Sequence, residues 1–131
     1  MGLRRPALLV FVCAATVVPG YAQDCVPVMP ARIDQEWAHY KALPGAEPNS
    51  GSDQYECISI KKSFQLVCRT TKANPAHPSI IIRTMKQDGK AISVQTVGDT
   101  AADCKSFLAM LGEYKRLDAQ MSDRMHQEMG H

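Results

Sequence analysis

Four short runs of alternating or β-branched residues occupy the middle of the chain. They cover residues 54–60, 64–72, 79–85 and 91–97. Val, Ile, Thr and aromatic residues favour strands, and each run has the length of a strand rather than of a helix. Glycine, proline or short polar segments separate the runs, so we expect neighbours along the chain to pair. The pattern predicts a four-stranded antiparallel β-meander.

The first predicted hairpin has a register that can be tested by arithmetic. With the turn around residues 61–64, the numbers of opposite residues sum to 125, which places Cys57 opposite Cys68. Side chains then alternate between two sides of the hairpin. One side carries Ile58, Ile60 and Val67, and the other carries Tyr55, Cys57, Leu66 and Cys68. Since both sides are apolar, either two helices cover opposite faces or one face is kept for another protein.

The second predicted hairpin turns near Gly89. A glycine there suits the left-handed position of a three-residue loop with a bulge. That loop would set Ile82 opposite Val94 and Ile80 opposite Thr96. Residues 44–53 and 71–78 are rich in Pro, Asn and small residues, so we expect a loop before the sheet and a connector within it.

Helical spacing flanks the predicted sheet. Ile33, Trp37 and Tyr40 recur at i, i+4 and i+7, which predicts an amphipathic helix over residues 30–43. A longer helix is predicted after Gly98, with Asp99 or Thr100 as candidate N-cap. Its apolar stripe contains Cys104, Phe107, Leu111, Tyr114, Met121 and Met125. The expected fold is therefore α+β: an N-terminal helix, the meander and a long C-terminal helix.

The N-terminal residues have the plan of a secretory signal peptide. Arg4 and Arg5 precede an apolar run over residues 7–18, and small residues follow at Gly20 and Ala22. The run is too short to span a bilayer, where roughly 20 apolar residues are needed. We expect residues 1–22 to be removed and residues 23–131 to form one small domain that is periplasmic or secreted.

Removal of that segment leaves four cysteines, Cys25, Cys57, Cys68 and Cys104. An even number in an exported chain of this size predicts two disulfides. Four cysteines allow three connectivities. The hairpin register favours Cys57 with Cys68, which leaves Cys25 with Cys104.

Charge narrows the classes of partner. Loss of two of the 15 basic residues leaves 13, equal to the 13 acidic residues. A neutral chain without interleaved aromatic residues gives no basis for nucleic-acid binding, and no stable membrane insertion is expected after signal removal.

The end of the chain contains soft metal ligands. Met121, Met125 and Met129 recur every four residues, with His126 beside them and His131 at the terminus. Thioether and imidazole groups suit Cu(I), so copper binding is one alternative function. The same methionines also continue the apolar stripe of the helix and need no metal.

Catalysis has little support in the sequence. All four remaining cysteines are consumed by two disulfides, and no Cys-x-x-Cys occurs. No pair of carboxylates stands out for acid–base chemistry, so a small hydrolase is a further alternative without assigned residues. We therefore expect a protein without catalytic residues or a cofactor that binds a protein or envelope component. The predicted contact residues are Tyr55, Leu66, Met121, Met125 and Met129.

Overall fold

The computed structural model of the chain describes residues 25–129. It contains two helices and five strands. In chain order these are α1 (Pro30–Lys41), β1 (Ala46–Ser52), β2 (Tyr55–Ile60), β3 (Gln65–Thr70), β4 (Ser79–Asp88), β5 (Ala91–Thr100) and α2 (Cys104–Met129). The fold is thus α+β, as the sequence predicts, with one strand more than expected. The predicted signal peptide over residues 1–22 lies outside the described residues.

The sheet is antiparallel throughout, with the strand order β1-β2-β3-β4-β5. The extra strand, β1, lies in the segment that we expected to be a loop, so that prediction is wrong. Its sequence AEPNSGS has nothing apolar to bury beyond Ala46, and six of its seven residues are exposed. Backbone pairing with β2 holds it in place, and the register is interrupted between Asn49 and Ser52.

The first hairpin has the expected register, with Cys57 opposite Cys68. A short 3₁₀ turn (Lys61–Ser63) and Phe64, in the left-handed region at φ 53°, make the connection. The loop therefore has four residues between Ile60 and Gln65. The α-carbons of Cys57 and Cys68 are 4.1 Å apart, which corresponds to the close, non-hydrogen-bonded kind of pair rather than the wide kind.

The second hairpin has a different register from the expected one. Only Gly89 and Lys90 lie between the closing pair, Asp88 and Ala91, and Gly89 has φ 64°. Ile82 consequently lies opposite Val97, and not opposite Val94. The three-residue loop was wrong because a left-handed glycine serves a two-residue turn equally well.

The two helices lie against opposite faces of the sheet. Ile33 and Trp37 of α1 pack on one face, against a cluster that contains Ile58, Ile60, Val67, Ile80 and Ile82. Phe107 and Leu111 of α2 pack on the other, against Ile81. This is the first of the two arrangements that the two-sided apolar hairpin left open.

The start of α2 is held by a cap and a disulfide. The backbone N–H of Ser106 donates to Oδ2 of Asp103 at 2.9 Å, which makes Asp103 the N-cap. Neither Asp99 nor Thr100 takes this role, because β5 continues to Thr100. The structure pairs Cys25 with Cys104, so the N-terminal segment is tied to the first turn of the helix. Among residues 25–129, no helix is long and apolar enough to cross a membrane.

Candidate functional site

The second helix covers only part of its face of the sheet. It packs over β4 and β5, and the corresponding face of β2 and β3 lies to one side of the helix. Gly98 of β5 allows close pairing with β4: a Cβ there would lie 2.4 Å from the carbonyl oxygen of Ile80, so a larger residue does not fit without a shift. α2 therefore leaves this half of the face only partly covered, with Tyr55 and Leu66 half-buried there.

A buried ion pair fixes α2 in this position. Asp118 of α2 is only 5% exposed and accepts hydrogen bonds from Arg83 of β4 and from the Thr96 hydroxyl of β5. The Arg83 guanidinium also lies 5.2 Å from the ring centre of Tyr114. A buried charge needs hydrogen-bonding partners of this kind. Asp118, Arg83 and Thr96 therefore join α2 to β4 and β5 at one place.

Three depressions run along the uncovered side of α2. The largest has a volume of about 770 Å³ and is lined by Tyr55, Asn74, Ala76, Met110, Tyr114 and Leu117, among others. The second, of about 500 Å³, is lined by Phe64, Leu66, Arg83, Met85, Val94 and Met121, among others. A smaller one of about 200 Å³ shares Leu117 with the first and both Arg83 and Met121 with the second. We call the combined surface the α2 trough.

The trough gathers apolar side chains that are exposed to solvent. Eight large hydrophobic residues of the described chain are exposed, and four of them line the trough: Phe64, Met85, Leu117 and Met121. Isolated exposed apolar residues are normal on protein surfaces, but a contiguous set marks an interaction site. The trough is therefore the candidate functional site.

Aromatic rings form the floor of its larger end. The rings of Tyr55 and Tyr114 meet edge to face, with centroids 5.8 Å apart. Burial, together with the neighbouring Tyr55 hydroxyl, raises the pKa of Tyr114 above its ordinary value. Tyr114 therefore stays neutral at physiological pH and contributes a hydroxyl group, not a charge.

The structure brings together some of the predicted contact residues. Tyr55 lines the larger depression, while Leu66 and Met121 line the second. Met125 is half-buried and lines none of the three. The side chain of Met129 lies outside the described part of the chain. Two lining residues were not predicted from the sequence. Leu117 follows Tyr114 by three residues on α2, and Phe64 lies in the turn of the first hairpin.

The copper alternative stays a prediction. Met121 and Met125 are both on α2, one turn apart. The side chains of His126 and Met129, and the whole of His131, lie outside the described residues. Within the described chain, no group of three or more His, Cys, Asp or Glu side chains could hold a metal ion.

The hydrolase alternative finds no support in the trough. Its one carboxylate is Glu113, which accepts hydrogen bonds from Arg116. That hydrogen bonding lowers the pKa of Glu113. No histidine lines any of the three depressions. His77 follows the lining residue Ala76 in the sequence, but its Nδ1 atom lies 3.0 Å from the Thr70 hydroxyl oxygen. An acid–base pair is therefore not assembled at this surface.

Comparison with known proteins adds no relative: no protein-family model matches the chain, and neither a curated protein nor a solved structure shows significant similarity to it. The function has to be inferred from the site alone.

Proposed function

We propose that this protein is an exported, non-catalytic binding protein that holds an amphipathic helix of a partner protein in the α2 trough. The observation that carries the proposal is the clustering of Phe64, Met85, Leu117 and Met121 in one open, apolar surface. A helix that lays its apolar face into such a groove is a common mode of polypeptide recognition.

The dimensions suit a helix. The trough follows α2 from Lys105 to Arg124, a length of about 29 Å at the rise of an α-helix. Its floor is the face of β2 and β3, beside α2, where a second helix would complete the layer. An extended peptide would leave its backbone groups unpaired there, because the strands offer a face and not an edge.

The positive charge along the rim of the trough favours a partner helix with acidic residues beside its apolar face. The residues that line the trough include Lys61, Lys105, Arg83 and Arg124, against the single acidic Glu113. Lys61, Arg83 and Glu113 already have charged partners, namely Glu47, Asp118 and Arg116. Lys105 and Arg124, near the two ends of the trough, would therefore meet acidic residues on the solvent side of the bound helix and help to set its orientation.

Export is supported by two kinds of evidence. Residues 1–22 have the pattern of a signal peptide, and four cysteines of the remaining chain form two disulfides. Disulfides persist mainly in oxidising compartments. N-terminal sequencing of protein recovered from outside the cytoplasm should begin at Gln23, and an intact Met1 in that fraction would refute export by this signal.

Two leucines of α2 provide a matched test of the trough. Leu117 is 40% exposed and lines it, whereas Leu108 is 39% exposed and lies outside its lining. The partner would be captured by crosslinking to the exported protein and then purified. Leu117→Asp should weaken its affinity at least about tenfold, since a charge would have to be desolvated in the apolar groove. Leu108→Asp should leave the affinity unchanged. Equal losses, or no loss in either variant, would refute binding in the trough.

A further inference from the structure

The two edges of the sheet differ in how they are protected. Exposed edge strands invite pairing with another chain, and proteins usually blunt them with proline, charge or bulges. β1 has such features: Glu47, Pro48 and an irregular register between Asn49 and Ser52. β5 has ten continuous pairs with β4 and contains neither proline nor a charged residue over 91–98. Its edge resembles that of an interior strand.

The backbone groups that face outward on β5 can be identified. The two-residue turn makes Asp88 and Ala91 a hydrogen-bonded pair, so odd-numbered residues of β5 bond inward to β4. The backbone N–H and C=O groups of even-numbered residues then point away from β4, to the free edge. Thr100 follows this pattern, because its carbonyl oxygen accepts a hydrogen bond from the backbone N–H of Val28, outside the sheet, at 2.8 Å. Between residues 92 and 98, no described segment of the chain satisfies the corresponding groups.

Space is available beside this edge. A depression of about 520 Å³ lies between the outer side of β5 and one flank of α2, and Gln95, Val97, Ala119 and Ser122 help to line it. The short side chains of Ala119 and Ser122 keep that flank of the helix narrow. A further strand could therefore approach β5 from this side.

We propose that a second copy of this chain pairs with β5 through residues 92–98, in antiparallel orientation, about a twofold axis at Gln95. In this register Ile92 meets Gly98 of the other copy and Val94 meets Thr96, so that every outward backbone group on these four residues finds a partner. Like charges are not opposed, since Asp99 meets Ala91 and Lys90 meets Thr100. The two sheets become one continuous sheet of ten strands, and the α2 trough stays open in each copy.

The test is the mass of the oxidised protein in solution over a wide range of concentration, by sedimentation equilibrium. We expect the wild type to be a dimer. Val94→Pro removes an outward N–H that the monomer does not use, and proline is tolerated at such edge positions. It should weaken dimerisation at least about tenfold while the circular dichroism stays native.

Gln95 gives a second test that leaves the backbone intact. It is exposed on the monomer, but the twofold axis places it opposite itself. Gln95→Lys and Gln95→Glu should each be monomeric at concentrations where the wild type is dimeric, because like charges would be opposed. An equimolar mixture of the two should dimerise again. A monomeric wild type, a Val94→Pro variant that still dimerises, or a mixture that stays monomeric would overturn the proposal. A monomer that pairs β5 with the strand of another protein would overturn it as well.

Discussion

The buried pair between Asp118 and Arg83 allows a quantitative test of how α2 is held. Their side chains are 7% and 16% exposed, respectively. Asp118→Ala would leave the guanidinium and the Thr96 hydroxyl without their acceptor. Removal of one partner of a buried ion pair typically costs about 3 to 5 kcal/mol. Arg83 keeps some access to water and its contact with Tyr114, so we expect about 2 to 4 kcal/mol.

The assay is urea unfolding under non-reducing conditions, followed by circular dichroism. With a slope of about 1.5 kcal/mol/M, the midpoint should fall by about 1.3 to 2.7 M without a change in slope. Asp123→Ala is the matched control, since Asp123 is an exposed acid on the same helix, and it should cost less than about 0.5 kcal/mol. The double variant Arg83→Met with Asp118→Leu should recover most of the loss. A loss for Asp118→Ala no larger than that for Asp123→Ala would show that the buried pair does not hold α2 in place.

Three further predictions concern the core and the edges. Burial, reinforced by Asp99, raises the pKa of Glu36 to about 7. Between this value and the unfolded pKa of about 4.3, the Glu36 carboxyl group is protonated in the folded state and ionised in the unfolded state. The free energy of unfolding therefore falls as the pH rises through this range. From pH 5 to pH 8 the wild type should lose about 1 to 2 kcal/mol more than Glu36→Gln in urea unfolding, and parallel pH profiles would contradict this. Trp37 is 4% exposed on α1, so Trp37→Ala should cost about 3 to 5 kcal/mol, and a cost near that of the exposed His39→Ala would be inconsistent with its packing. Gly98→Ala should lower the free energy of unfolding by about 1 to 3 kcal/mol, seen as a lower thermal midpoint, because the added methyl group would press on the Ile80 carbonyl. Gly112→Ala is the control: its methyl group would enter open space, so this variant should not be destabilised.

The sequence predicts the parts of the fold in which apolar spacing coincides with burial. Ile33 and Trp37 are buried on α1 as their spacing requires, and Phe107 and Leu111 are buried on α2. The first hairpin follows from the same logic, since its register alternates apolar residues between the two faces of the sheet. These features depend on local periodicity, which a single sequence displays.

The missed features depend on contacts between distant segments. β1 has no apolar alternation, because an exposed edge strand gains its order from backbone pairing with β2. The register of the second hairpin depends on the number of residues in its turn, and a left-handed glycine at position 89 suits a two-residue or a three-residue turn. The trough was only partly anticipated, through Tyr55, Leu66 and Met121, because its shape depends on where α2 lies on the sheet.

The proposed binding of a partner's helix beside α2 can be tested by site-specific crosslinking. A photo-reactive phenylalanine analogue at position 66, on the floor of the trough, tests this directly when compared with the same probe at position 108, outside it. We predict that the probe at 66 crosslinks to one amphipathic helical segment of the purified partner, located by mass spectrometry, and that the probe at 108 does not. Equal crosslinking from both positions, or crosslinking from 108 alone, would show that the partner's helix does not bind in the trough.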